Sequence, residues 1–128
     1  MRYLTDEEVQ LASRFLFLSM TLVVIKQDID RFRQGEFKIK EPYVNLLEKM
    51  ASEASNERKQ LRKKMNKKKL QVTLLTKNDS FSSYLFLCQG KEEKRNYFNP
   101  AIRKKVEAIF QELMLKSLSY HHPVASGT

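Results

Sequence analysis

The sequence predicts a mainly α protein, about four helices in a compact bundle with one short strand pair at most. Three observations carry that expectation. Only three Gly and three Pro occur in 128 residues, too few chain breakers for a many-stranded sheet. Thr5 and Glu8 stand in capping-box spacing ahead of a long apolar run. Asn99-Pro100 opens a second strongly periodic stretch, with Asn favoured at the N-cap and Pro at the first helical position. A chain of this length buries one core, so residues 1–118 are expected to form a single helical domain, and residues 119–128 a flexible C-terminal tail.

The first helix is expected from about Asp6 to Gln34. Asp6, Glu7 and Glu8 complement the dipole at its start, and Gly35 marks its stop. Its centre, "FLFLSMTLVVI", is apolar on nearly every face, as in a helix surrounded by neighbours or by a partner subunit. Both readings stand at this point. The run Phe15 to Ile25 would cover roughly 16 Å, about half a bilayer core, and Arg14 and Lys26 bracket it closely, so no membrane span is expected. The acidic opening is also unlike the basic start of a signal peptide. A second helix runs from Pro42 to about Asn66, because Tyr43, Leu47, Met50, Ala54, Leu61 and Met65 recur at three- or four-residue steps, apart from a polar step at Glu57.

"LQVTLLT", residues 70–76, alternates and is β-rich, with Leu70, Val72 and Leu74 on one face. Its internal partner is expected to be Phe37 to Lys40, with pairing across a subunit interface as the other option. "TKNDS" then reads as a turn capping a third helix. Phe81, Tyr84, Leu85, Leu87 and Cys88 are its apolar positions, and the charged "GKEEKRN" is its second half, loosened at Gly90. The last helix starts at Asn99 and buries Ile102, Val106, Ile109, Phe110, Leu113 and Met114.

Charge narrows the function classes. Twenty-four basic and 15 acidic side chains leave a formal net charge of +9, which favours DNA, RNA, an acidic protein or an anionic surface as partner. The lone Cys88 cannot form an internal disulfide, so a reducing, cytoplasmic setting fits best. Phosphate-cradling Gly patterns, HExxH and CxxC are missing, His121 and His122 fall in the tail, and Cys88 reads as a small core hydrophobe. No enzyme is expected, and no catalytic, cofactor-binding or metal residue is assigned.

What remains is cationic. Eight Lys and Arg crowd the twelve positions from Arg58 to Lys69, and a second cluster opens the last helix. As candidate polyanion contacts, Arg58, Arg62, Lys63, Lys64, Lys67 and Lys68 would meet phosphates, with Arg103, Lys104 and Lys105 as a second group. Tyr97 and Phe98, between the second cluster and Lys94-Arg95, would either stack on bases or pack over the helix start. Cations also belong at a helix C-terminus, where they offset the dipole without any ligand. The leading expectation is thus a small basic non-enzymatic accessory protein, nucleic-acid-associated or regulatory. The alternative is a helical protein-interaction module, a homodimeric adaptor or an inhibitor of a partner protein, suggested by the all-round apolar first helix.

Two runs, "FKIKEPYVNLLEKM" and "YLFLCQGKEEKRNYFNPAIRKKVE", resemble the YhjD-like family of spore-forming bacteria. The resemblance implies a bacterial, cytoplasmic, prophage-associated accessory protein. It implies no activity, cofactor or site residue.

Overall fold

The computed structural model describes residues 3–119, so His121, His122 and the tail beyond residue 119 lie outside the described residues. The chain order is α1 (Asp6–Gln34), α2 (Glu41–Lys68), β1 (Leu70–Lys77), β2 (Phe81–Cys88), β3 (Lys91–Phe98) and α3 (Asn99–Ser119). This is an α+β fold of three helices and a three-stranded antiparallel sheet ordered β1-β2-β3, and it corrects the expected four-helix bundle.

The helices form where local signals place them. At the start of α1, Thr5 Oγ1 accepts from the Glu8 amide at 3.1 Å while Glu8 Oε1 accepts from the Thr5 amide at 2.9 Å. Two of the amides and side chains left over at a helix start are thereby satisfied reciprocally. The helix stops at Gly35, whose backbone is extended (φ −73°, ψ 167°). Here glycine supplies space and not a left-handed turn: a Cβ at Gly35 would stand 2.7 Å from the Phe37 ring. Phe37 stacks on Phe32, which stacks in turn on Tyr43, closing the α1–α2 connection. Phe37 to Lys40 therefore lies in that connection and is not the partner of the strand.

Helix α2 returns antiparallel to α1, with Arg33 paired to Glu48 at one end and Arg14 to Glu57 nearer the other. Leu47, Met50, Ala54 and Met65 are buried as the spacing predicts, but Val44 takes the buried place expected of Tyr43. The helical core joins Phe17, Leu18, Leu22, Ile25 and Ile29 of α1 to α2 and to Ile109 and Leu113 of α3. By length and hydropathy α1 is also apolar enough to cross a bilayer. In this fold its apolar residues meet α2, α3 and the sheet, except on the side of Val23, which is 55% exposed.

The expected third helix is instead the hairpin β2–β3. Phe81, Tyr84, Leu85 and Cys88 do recur at helical steps, but Tyr84, Phe86 and Cys88 also alternate, and all three are buried. Period two wins because the neighbours are strands: Val72 pairs with Phe86, and Phe86 with Glu93. Gln89 and Gly90 both take positive φ (50° and 82°), the requirement of a two-residue type I′ turn, and Cys88 faces Lys91 across it. Gly90 is thus a hairpin glycine and not a helix kink. "TKNDS" does turn the chain, but it leads into β2. Asn78 Oδ1 accepts from the Ser80 and Phe81 amides, each at 2.8 Å, and the Asn99 side chain ties this loop to α3.

The sheet packs its inner face on the start of α1 and the end of α2. Leu70, Tyr84, Phe86 and Cys88 meet Leu4, Ala12 and Met65 in a second core.

Candidate polyanion-binding surface

The end of α2 is built by its own sequence. Leu61 and Met65 are the apolar side chains that pack this end on the body of the protein, and Arg62, Lys63, Lys64 and Lys67 fan over about 200° of helix surface and are exposed. Lys69 closes the helix in the left-handed region (φ 56°, ψ 43°), its amide donating to Asn66 O at 3.2 Å. That conformation costs a non-glycine residue about 1–2 kcal/mol. Its neighbour is anchored: the Lys68 carbonyl accepts from Cys88 Sγ at 3.3 Å and from Gln89 Nε2 at 3.0 Å. The β2–β3 turn thus holds the cationic helix end in place.

The predicted cations divide into committed and free. Arg58 is committed: its Nε donates to Ser19 Oγ at 2.7 Å, and its guanidinium lies 4.8 Å from the centre of the Phe15 ring. Arg62 lies 5.2 Å from the same ring and has no carboxylate partner among the described residues. Lys63, Lys64, Lys67 and Lys68 likewise have no ion pair among the described residues. By contrast, Arg14, Arg33, Lys91, Arg95 and Lys116 all sit on carboxylates.

The second cluster is elsewhere. The Lys105 ammonium stands 5.6 Å over the Phe17 ring. Phe15 and Phe17 point about 200° apart on α1, so the two cationic groups flank opposite sides of that helix. They also adjoin opposite edges of the sheet, since α2 leads into β1 and β3 into α3. Arg103 and Lys104 are exposed on α3. The nine predicted contacts therefore make two surfaces and not one. Tyr97 is drawn into packing, edge-on to Phe17 at 5.3 Å, whereas Phe98 stays half exposed against Phe81.

Sequence reasoning passed over the strongest electrostatic feature. Arg14 donates twice to Glu57 (2.7 and 3.0 Å) and twice to Glu112 (2.9 and 3.1 Å), joining all three helices. The polar step at Glu57 in the α2 stripe was its one visible trace. Hydrogen bonds from Arg14 hold the Glu57 carboxyl below its usual range, and Glu57 in turn raises the guanidinium's pKa. A second knot joins the sheet to α1: Lys91 Nζ donates to Glu8 Oε1 at 2.8 Å. That bond, with the Thr5 amide, brings Glu8 down from 4.5 to about 2. Burial pushes the Cys88 thiol up, with its hydrogen bond to Glu8 acting in the same direction, so this sulfur is a core group and a poor nucleophile. Among the described residues no group of three or more His, Cys, Asp or Glu side chains is placed to hold a metal ion.

Beside the free cations runs a groove of about 320 Å³ between α2 and β1, lined by Phe15, Arg62, Met65, Asn66 and the first half of β1. Its lining mixes the apolar Phe15, Met65, Leu70 and Val72 with the polar Arg62, Asn66, Gln71 and Thr73.

Comparison with known proteins agrees with the resemblance noted above. No solved structure matches the chain. "Uncharacterized protein YhjD" of Bacillus subtilis (strain 168) is 30% identical over 106 residues, covering 83% of this chain and 88% of that protein. The family model described as "YhjD protein" matches residues 3–118, nearly all that the structure describes, and the chain belongs to that family.

Proposed function

We propose that the chain is a non-enzymatic accessory protein of the cytoplasm that associates with nucleic acid through the C-terminal half of α2. One observation carries the reading: Arg62, Lys63, Lys64 and Lys67 are exposed, crowded within two helical turns and without carboxylate partners among the described residues, whereas Arg14, Arg33, Lys91, Arg95 and Lys116 are each paired. Unpaired cations keep their hydration and counterions until a polyanion displaces them, and release of those counterions drives binding. The fan of charge, with no groove-reading helix presented as a unit, favours contact with phosphates over reading of bases.

Titration with duplex DNA, single-stranded DNA and RNA at ~50 and ~200 mM salt tests this, because phosphate binding weakens by orders of magnitude over that range. Replacing Lys63, Lys64, Lys67 and Lys68 by Gln should abolish low-salt binding, whereas Arg103→Gln with Lys104→Gln should weaken it far less. Absence of binding to every polymer at low salt refutes the reading. The protein-interaction alternative finds support at a different place from the apolar centre of α1, namely the free edge of the sheet.

A further inference from the structure

We infer that the open edge of β1 receives an extended acidic segment of a partner protein, which adds to the sheet as a fourth strand. Strand β1 pairs only with β2, so one side of it offers backbone donors and acceptors that no described strand satisfies. Monomeric proteins blunt such edges with Pro, inward charges or short strands. β1 runs for eight residues, has no Pro, and carries its only charge at its last residue, Lys77. The one irregularity, a bulge between Leu74 and Thr76, leaves Leu70 to Leu74 in regular register. Leu74 belongs to the helix-facing side with Leu70 and Val72, yet it is 51% exposed, and Leu75 beside it is 44% exposed.

The edge adjoins the groove of about 320 Å³, whose floor is Phe15, Met65 and Val72 and whose cation is Arg62. A strand laid along β1 would place alternate side chains over that floor. Charge selects among occupants. Arg62 has no carboxylate partner among the described residues, Lys69 and Lys77 bound the strand at its two ends, and the chain carries +9. A second copy of the chain would bring those lysines and two cationic helix ends together, which opposes association. Nucleic acid has no peptide groups to complete a ladder. A segment whose groove-facing side chains, every second residue, are apolar except for one carboxylate at Arg62 satisfies the backbone, the groove and that cation together.

The test uses a peptide matched in length to β1, with threonines on its outward face and, on its groove face, valines and one glutamate, added to the whole protein and followed by NMR amide shifts and hydrogen exchange. Binding should slow exchange along Leu70 to Leu74 and move the Arg62 signals. Arg62→Ala, at an exposed site, should weaken it about tenfold, as for loss of one charged hydrogen bond. The same peptide with alternate amide nitrogens methylated keeps its charge but cannot complete the ladder, and it should not bind. Equal binding of the methylated peptide, or of one with lysine in place of that glutamate, overturns the proposal. So does protection of β1 that rises with protein concentration alone, or that a single-stranded oligonucleotide produces equally well. Loss of nucleic-acid binding at low salt would leave it standing.

Discussion

The helical core around Leu18, Ile25 and Met50 and the sheet core around Leu70, Phe86 and Cys88 share α1 and α2, yet they draw their residues from the chain differently. In the first, each helix contributes side chains three or four positions apart, so membership follows from local spacing. In the second, β1 and β2 contribute alternate residues, while Leu4 precedes α1, Ala12 lies near its start and Met65 near the end of α2. The helical core is assembled from long local elements. The sheet core exists only once the three successive strands have paired and folded back onto α1 and α2, and the charged residues of β3 show the difference. On β3, Lys91, Glu93 and Arg95 lie on the half-covered face, where Lys91 meets Glu8 and Arg95 meets Glu93.

Truncation inside each core is the strongest way to break that comparison. Phe86→Ala should cost about 3–5 kcal/mol and Leu18→Ala about 2–5 kcal/mol in urea unfolding. Both should shift one transition seen alike by far-UV circular dichroism and tyrosine fluorescence. Loss of the sheet alone in Phe86→Ala would mean that the two cores are separable. Next comes the joint among the helices: Arg14→Ala leaves the part-buried Glu57 and the exposed Glu112 without their shared partner and should cost about 1 kcal/mol. Arg14→Ala with Glu57→Gln should be milder than Arg14→Ala alone.

The knot between α1 and β3 is read through pH. Glu8 titrates near 2 when folded against 4.5 unfolded, so its stabilisation is present above pH 4.5 and is lost as pH falls towards 2. Unfolding free energy measured across that window should fall with acid in the parent protein and fall less in Glu8→Gln. Smaller still is the hairpin turn, where Gly90→Ala meets no neighbour but must hold φ at 82°, at about 1 kcal/mol. Gly35→Ala is the mildest: it displaces the half-exposed Phe37 ring and crowds the Arg31 carbonyl oxygen 3.1 Å away, a shift visible in that ring's proton signals and small in stability.

Local signals were enough for the helices. Thr5 with Glu8, Pro42, and Asn99-Pro100 placed three helix starts to within a residue, and the β1 segment was recognised as a strand. They failed at residues 81 to 98, where Phe81, Tyr84, Leu85 and Cys88 satisfy helical spacing as well as Tyr84, Phe86 and Cys88 satisfy alternation. Gln89-Gly90 lacks the Asn-Gly form that announces a hairpin, and "KEEKRN" carries little strand preference. The surface followed the same pattern. The density of cations was plain in the chain, but which of them are spent was not, because Arg58 bonds to Ser19 and Arg14 to Glu57 across helices that meet only after folding.

Composition and spacing therefore determined charge, helix boundaries and most of the helical core, since each depends on residues within a turn or two of one another. Tertiary structure decided that residues 81 to 98 form a hairpin, that the cationic clusters face apart across α1, and that β1 keeps a free edge. Each of those depends on which segment supplies the opposing backbone, the covering surface or the counter-charge, a choice made by pairing and packing across the whole chain.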